Sequence, residues 1–266
     1  MIDVHCHLEQ PDYKVDRDAV VLRCKQQLDA VITSCVSPEH LDSSLLLVTR
    51  HSGFVFASAS LHPAYVKTVT PQMCDLYVER LRLNQDSLVA IGETGLDYNW
   101  VKNDDWRKKQ QQLFSKMIDL SVELQLPLVI HSRDAIADTL ELLEERSIPQ
   151  VHMHMLTKHA FLKRILDNGW FISVNTLLLR SKEIRKIVRD CPLEFLMLET
   201  DSPWLGLNED GAIRSKYEVR NEPISVKLVA QRVAEIKKVS IDEVNQITTN
   251  NANSFFNLGL KSLSFS

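Results

Sequence analysis

Glycine is scarce in this chain. Only seven glycines occur among 266 residues, well below the usual share of about 7%. None of them forms a G-x-G-x-x-G or G-x-x-x-x-G-K pattern, the patterns by which glycine-rich loops bind the phosphates of nucleotides. The sequence therefore argues against nucleotide binding on such a loop, and a phosphate would have to be held by other groups.

Cysteine and positive charge are limited too. The five cysteines are odd in number, widely separated and without a C-x-x-C pair, which argues against a disulfide framework and against a thiolate zinc site. A net charge of −4 provides no basic surface for extended nucleic-acid binding. It does not exclude a pocket for a few nucleotides, because bound cations would themselves present positive charge to a phosphate.

Long apolar runs are also missing, and none could span a bilayer. Together with the unpaired cysteines, this predicts a cytoplasmic protein that does not bind membranes. A cleaved signal peptide is not expected if the first residues are functional, because cleavage would remove them. Nothing in the sequence implies an obligate protein partner.

The first seven residues place polar side chains at alternating positions. Asp3, His5 and His7 would lie on one face of an opening strand, because alternate side chains of a strand project to the same side. Three polar groups on a buried face need partners, and a divalent cation would supply them. An exposed edge strand or hydrogen-bonded buried histidines would produce the same pattern, so this segment alone leaves metal binding open.

Eight short apolar runs alternate with longer amphipathic segments. Repeated strand and helix units with short connections predict a parallel sheet, and eight of them favour a closed (β/α)8 TIM barrel over an open doubly wound sheet. The clearest helix is expected at 104–125, where apolar residues recur at helical spacing. The predicted strands cover residues 1–5, 30–36, 54–61, 87–92, 127–131, 150–154, 170–174 and 195–200.

The C-terminal part follows a predicted loop at 202–223. Two helices are expected there, at about 224–257, and they would complete the outer ring of the barrel. Ser240 is placed to cap the second helix. Since no linker, low-complexity segment or internal repeat interrupts the chain, we expect residues 1–266 to form a single metal-dependent hydrolase domain.

Further metal-ligand residues end four of the later runs, where (β/α)8 enzymes place their chemistry. Histidine and carboxylate ligands without thiolates suit Zn, Mn, Mg or Co. Six side chains exceed one tetrahedral site, whereas two divalent ions bridged by a carboxylate would use them all. The candidate ligands are His5, His7, Glu93, His131, His154 and Asp201.

Four motifs in order resemble the TatD-type metal-dependent deoxyribonucleases, a family of amidohydrolase-like barrels. They are D-x-H-x-H-L from residue 3, G-E-x-G-L-D-Y from residue 92, I-H-x-R-D-A from residue 130 and E-T-D-x-P from residue 199. The resemblance implies one ion on His5, His7 and Asp201, a second ion on His131 and His154, and Glu93 as the bridge.

The function expected from this resemblance is hydrolysis of phosphodiester bonds in DNA or short oligonucleotides by water that two metal ions activate. We expect attack at free ends or on single strands, because a barrel mouth without a basic groove suits a terminal nucleotide. Asp201 is expected to accept or relay the proton while it binds metal, and Glu93 is the second catalytic carboxylate.

Three residues beyond the ligand set are candidates for substrate contact. His62 follows the third predicted strand, and the resemblance implies contact with the scissile phosphate; a turn histidine is the alternative. Arg133 could bind a phosphate or pair with a neighbouring carboxylate such as Asp97 or Asp134. Trp204 could stack on a base or cover the barrel mouth.

Two residues near the ligands are expected to support them. His152 should be a hydrogen-bonded core or supporting histidine, and Glu199 should orient a ligand imidazole. One motif departs from the family pattern, because His154 is followed by M-L-T-K in place of C-F-(S/T)-G. The substrate pocket on that side is therefore expected to differ.

Two other functions remain open at this stage. The same two-metal barrel could hydrolyse a small amide, lactone or phosphate ester, because fold does not fix substrate. A non-catalytic binding module is a third possibility. The presence of all six candidate ligands argues against it, because a degenerate site would be expected to lose some.

Overall fold

Eight parallel strands form a barrel in the computed structural model, which describes residues 1–207 and 219–261. The strands are β1 (Ile2–Cys6), β2 (Ala30–Cys35), β3 (Val55–Ala59), β4 (Ala90–Asp97), β5 (Leu128–Arg133), β6 (Val151–Met153), β7 (Phe171–Val174) and β8 (Leu196–Leu198). Each strand pairs with the next along the chain. Two backbone hydrogen bonds join the two ends of the sheet, from Asp201 N to His5 O (2.9 Å) and from His7 N to Ser202 O (2.7 Å). The predicted (β/α)8 fold is confirmed.

Helices connect the strands and surround them. The expected long helix at 104–125 is α4, and its first turn is capped by Asn103 Oδ1, which accepts from Asp105 N at 2.8 Å. Ser240 caps the last helix as expected, since its Oγ accepts from Glu243 N at 3.1 Å. The helices of the described residues are α1 (Arg17–Lys25), α2 (Leu41–Arg50), α3 (Pro71–Leu83), α4 (Asp104–Leu124), α5 (Ile136–Glu145), α6 (Leu162–Asp167), α7 (Lys182–Asp190), α8 (Val226–Lys237) and α9 (Ile241–Phe255).

The fourth strand departs most from the sequence prediction. A strand over 87–92 was expected, but β4 begins at Ala90 and continues to Asp97. It continues because its polar side chains are buried at the catalytic end of the barrel instead of forming a solvated loop. Gly95 permits the close approach of β5: its φ is +142°, and a Cβ there would lie 2.0 Å from His131 O.

The two ends of the barrel differ in character. At the amino-terminal end, Phe255 and Phe256 at the end of α9 pack with the apolar residues that begin the strands, such as Ile2 and Ala30. The polar side chains instead gather at the carboxyl ends of the strands. The polar groups that chemistry requires therefore lie at the carboxyl ends of the strands.

Part of the predicted loop at 202–223 lies outside the described residues, namely 208–218. The adjoining residues on both sides are held by the barrel, since Asn221 N donates to Pro203 O at 3.0 Å. Within the described ranges, no helix has both the length and the apolar character needed to cross a membrane.

Candidate metal centre

The six candidate ligands converge at the carboxyl ends of the strands. They come from different parts of the barrel, so only the closed fold brings them together. Five are buried, and the sixth, Asp201, has a side chain that is 15% exposed. The ligands are His5 in β1, His7 just after it, Glu93 in β4, His131 in β5, His154 after β6 and Asp201 after β8.

Glu93 lies at the centre of this cluster. Its Oε2 atom is 3.2 Å from His5 Nε2 and 3.8 Å from His7 Nε2. Its Oε1 atom is 2.8 Å from His131 Nδ1 and 3.4 Å from His154 Nε2. The two oxygens of one carboxylate therefore face two different pairs of imidazoles.

The first pair of imidazoles lies beside Asp201. His5 Nε2 and His7 Nε2 are 3.2 Å apart, and Asp201 Oδ1 lies 3.9 Å from the first and 3.4 Å from the second. Two imidazole nitrogens and two carboxylates that point at one position form a donor set for a divalent cation, and the absence of thiolates suits Zn, Mn or Co. The residues present therefore fit a metal ion.

The tautomer of His7 directs a lone pair into this space. His7 Nδ1 lies 2.8 Å from the backbone oxygen of Ser34, and a carbonyl oxygen can only accept a hydrogen bond. Nδ1 must therefore carry a hydrogen, which in the neutral ring leaves the lone pair on Nε2, the nitrogen that faces Glu93. Metal-bound imidazoles in proteins are oriented in this way.

The second pair of imidazoles is oriented by carboxylates. His131 Nε2 lies 2.9 Å from Asp97 Oδ2, and His154 Nδ1 lies 3.2 Å from Glu199 Oε2. Each carboxylate accepts a hydrogen from the imidazole nitrogen that faces it, so in the neutral ring the other nitrogen, on the side of Glu93, is the one that can bind a metal ion. Glu199 thus has the orienting position expected for it.

His62 is oriented the opposite way. Its Nε2 lies 3.4 Å from Glu93 Oε1, as close as His154, so distance alone would make it another ligand. Its Nδ1, however, accepts a hydrogen bond from Ala64 N at 3.0 Å. The hydrogen of the neutral ring must then sit on Nε2, which makes that nitrogen a donor towards the centre instead of a metal ligand.

The buried groups of the cluster shift one another's pKa values. Burial works to raise the pKa of Glu93, but the facing imidazoles of His154, His62 and His5 lower it well below its usual value. Burial works to lower the pKa of His7, whereas Asp201 and Glu9 raise it to about 10. Metal ligands are neutral imidazoles, so cation binding would displace this proton.

Sequence reasoning missed several supporting carboxylates. Besides Asp97, Glu9 accepts from Thr33 Oγ1 at 2.6 Å and lies 3.4 Å from His7 Nδ1. Asp3 is not a ligand in this arrangement; its carboxylate accepts from the backbone N and side chain of Thr200 at 3.0 and 2.6 Å and so joins β1 to the segment that carries Asp201. Asp97 could have been predicted from strand alternation, because it lies four residues after Glu93 in β4 and so on the same face of the strand.

Comparison with known proteins identifies the family of this chain. The family model of the TatD related DNases matches residues 2–257. The chain belongs to this family. It is 30% identical over 266 residues to deoxyribonuclease TATDN3 of Homo sapiens, with 96% of this chain and 94% of that protein covered. It is also 30% identical to the metal-dependent hydrolase YabD of Bacillus subtilis, with 97% and 99% covered. The chain is a metal-dependent hydrolase.

Solved structures of TatD proteins share the fold. The TatD homologue YjjV of Escherichia coli K12 superposes with a TM-score of 0.87 at 25% identity and covers 97% of this chain and 98% of its own. A TatD family hydrolase of Entamoeba histolytica gives 0.85 at 21% identity, with 96% and 97% covered. The barrel of this chain is therefore that of the TatD family.

Arg133 ends β5 beside the centre of this TatD-family enzyme. Its side chain is exposed and, among the described residues, forms no ion pair. The alternative of a local pairing is wrong for both carboxylates considered: Asp97 faces His131 at 2.9 Å, and Asp134 accepts from Asn99 Nδ2 at 3.3 Å. Arg133 is therefore available to an anion.

Two other residues lie close to the ligands. The ring of Trp204 contacts the His7 imidazole edge to face, at 4.5 Å between centroids, and is partly exposed. His152 is a buried core residue, with its Nε2 2.7 Å from Ser173 Oγ. The role of His152 as a hydrogen-bonded core residue is confirmed.

An open cleft of about 870 Å³ leads away from the centre. Asp201 and Arg133 both line it. Three residues of the segment that departs from the TatD pattern also line it: Met155, Thr157 and Lys158. The cleft is therefore the part of the site in which this chain differs from the family pattern.

Proposed function

We propose that this enzyme is a deoxyribonuclease that hydrolyses phosphodiester bonds of DNA with two divalent metal ions. Its relative TATDN3 is named a deoxyribonuclease, and the family match extends over nearly the whole chain. The proposed ligands are His5, His7 and Asp201 for one ion, His131 and His154 for the other, and Glu93 for both.

The central position of Glu93 supports two ions over one. Its two oxygens face separate pairs of imidazoles, with nearest distances of 3.2 Å to His5 and 2.8 Å to His131. The orienting acceptors of His131 and His154 leave the nitrogen on the side of Oε1 as the one that would bind an ion when the rings are neutral. A second ion near Oε1 would be bound by this oxygen and by the neutral forms of both imidazoles.

Divalent ions at such a centre lower the pKa of a water molecule and offset the charge that develops on a phosphate during hydrolysis. Asp201 is the proposed proton acceptor because it alone among the ligand carboxylates lines the cleft, with a side chain 15% exposed against 5% for Glu93. A carboxylate in that place can take a proton from water and release it to solvent.

The proposed substrate contacts surround these ligands. His62 donates through Nε2 to a phosphate oxygen, as its tautomer permits. Arg133 offers a guanidinium that no carboxylate of the described residues occupies, and this group can bind two phosphate oxygens at once. Trp204 presents a partly exposed ring beside His7, and a base could stack on its exposed surface.

We also propose that the enzyme acts on DNA ends or single strands. The net charge is −4, whereas proteins that hold long duplexes neutralise many phosphates with basic residues. The cleft of about 870 Å³ falls within the range of about 300–1,000 Å³ for small-ligand pockets. It therefore suits a few nucleotides and not a duplex.

Purified protein loaded with Mn or Zn tests the proposal. We expect about two bound ions per chain at saturation and cleavage of end-labelled single-stranded DNA that starts from one end. Parallel reactions contain duplex DNA, RNA, and a panel of small amides, lactones and phosphate esters. A stoichiometry that stays at one ion would overturn the two-metal centre.

The substrate panel separates the other functions. Rapid turnover of an amide or lactone, with DNA untouched, would overturn the nuclease and support a small-molecule hydrolase. Tight binding of DNA without cleavage by metal-loaded protein would instead indicate a binding module. The ladder of products from DNA would distinguish attack at ends from attack at internal bonds.

A further inference from the structure

The cleft beside the metal centre is lined by both cationic and apolar side chains. Arg133 and Lys158 are its exposed cations, and Met155, Phe161 and Leu177 are partly buried apolar residues of the same cleft. A nucleotide has the same division, because its phosphate is anionic and its base presents an apolar face. The cleft is larger than a phosphate group requires.

These two cationic side chains are not paired with other groups in the described part of the chain. Within the described ranges, Lys158 and Arg133 are exposed and neither side chain forms an ion pair or a hydrogen bond. The third cation of the cleft differs, because Arg107 lies 3.5 Å from Asp104 Oδ1 and over the ring of Tyr98 at 4.6 Å. Lys158 and Arg133 are thus the cleft cations that are free to bind an anion.

The carboxylates of the cleft are already engaged. Asp138 accepts from Tyr98 OH at 2.7 Å, Asp134 accepts from Asn99 Nδ2, and Asp201 faces His7 Nε2 at 3.4 Å. None of the three pairs with Lys158. The positive charge of Lys158, in the M-L-T-K sequence that follows the ligand His154, is therefore not neutralised by these carboxylates.

We propose that Lys158 binds the phosphate of the nucleotide next to the scissile bond, while the base of that nucleotide rests on Met155 and Phe161. This inference rests on the proposed nuclease function and deepens it. Arg133, at the end of the strand that carries His131, serves the scissile phosphate. Lys158 would then make the enzyme select substrates with at least one further phosphate over isolated phosphodiesters.

The test compares wild type with Lys158→Gln on two substrates. The first is a thymidine pentanucleotide, either natural or with one neutral methylphosphonate at each linkage in turn. The second is the p-nitrophenyl ester of thymidine 5′-phosphate, which has a single phosphodiester. Lys163→Gln is the matched control, because Lys163 is an exposed lysine paired with Asp167 and does not line the cleft.

For Lys158→Gln we expect kcat/KM on the pentanucleotide to fall about tenfold, with no change on the single phosphodiester. In wild type, one methylphosphonate beside the cleaved linkage should lower kcat/KM by a similar factor. In Lys158→Gln, the same methylphosphonate should lower kcat/KM little further. The slope of log kcat/KM against log salt should become shallower by about 0.7 in the variant. Lys158→Arg should restore most of the activity, and Lys163→Gln should match wild type.

Three results would overturn the proposal. The first is a kcat/KM of Lys158→Gln on the pentanucleotide equal to that of wild type. The second is an equal loss of kcat/KM on the single phosphodiester. The third is a loss from the methylphosphonate that is as large in the variant as in wild type. The wild-type protein alone shows whether the proposed nuclease function fails. In that case it would cleave the single phosphodiester or a non-nucleotide ester but no oligonucleotide, and the proposed role of Lys158 would be refuted as well. Melting temperatures of all variants verify folding.

Discussion

Replacement of His62 separates the ligand histidines from the histidine that serves substrate. His62 Nε2 lies 3.4 Å from Glu93 Oε1, at the distance of a ligand, but its Nδ1 accepts from Ala64 N. His62→Ala removes a donor and no metal lone pair. A hydrogen bond to a charged group contributes about 1.5–3 kcal/mol, which corresponds to a loss of about 10- to 150-fold in kcat/KM.

Metal content is the deciding measurement for this prediction. Protein is dialysed against limiting Mn or Zn, bound metal is measured by mass spectrometry, and turnover is measured on the same samples. His62→Ala should retain the wild-type number of ions. His131→Ala is the control, because His131 Nδ1 lies 2.8 Å from Glu93 and its loss should remove one ion. An ion lost from His62→Ala would refute the tautomer reasoning, and wild-type turnover would refute the substrate contact.

Three further predictions concern the carboxylates and the backbone. Asp201→Asn should retain most of its metal yet lose at least about 100-fold in turnover if Asp201 accepts the proton; near-normal turnover of metal-replete protein would eliminate that role. Glu199→Gln should weaken binding of one ion about 10- to 100-fold, measured by calorimetry, because Glu199 fixes the tautomer of His154. Gly95→Ala should lower the free energy of unfolding by at least about 3 kcal/mol in urea with chelator, whereas Gly53→Ala, with nothing within 4 Å of the added Cβ, should cost about 1–2 kcal/mol.

The barrel could be predicted because its signal is repeated. Each strand is a short apolar run, and eight runs separated by helices leave few alternatives. The ends of a strand could not be predicted where polar residues, which suggest a loop, are buried in the structure. Residues 93–97 of β4 include Glu93 and Asp97, which are polar in sequence but buried in the structure. Only the cluster at the centre of the barrel explains why this strand continues.

The candidate ligands could be predicted from their positions after the strands, but their supporting contacts could not. The acceptor that fixes the tautomer of His7 is the backbone oxygen of Ser34, and a backbone atom leaves no signal in sequence. Asp97 could have been found, since it shares the parity of Glu93. The difference between His62 and the ligand histidines depends on a hydrogen bond from Ala64, which required coordinates.

The segment after His154 shows why the metal ligand and the substrate cleft can vary independently. His154 is held by Glu199, which in turn accepts hydrogen bonds from Ser173 and Asn175 of the neighbouring strand and its end. Met155 contributes only its backbone N to this network, as a donor to Ser173 Oγ at 3.3 Å. Because the following residues hold the ligand through backbone atoms, their side chains can change without moving it. The M-L-T-K sequence therefore alters the cleft while it leaves the metal centre intact, so substitutions at Lys158 should change substrate preference and not metal content.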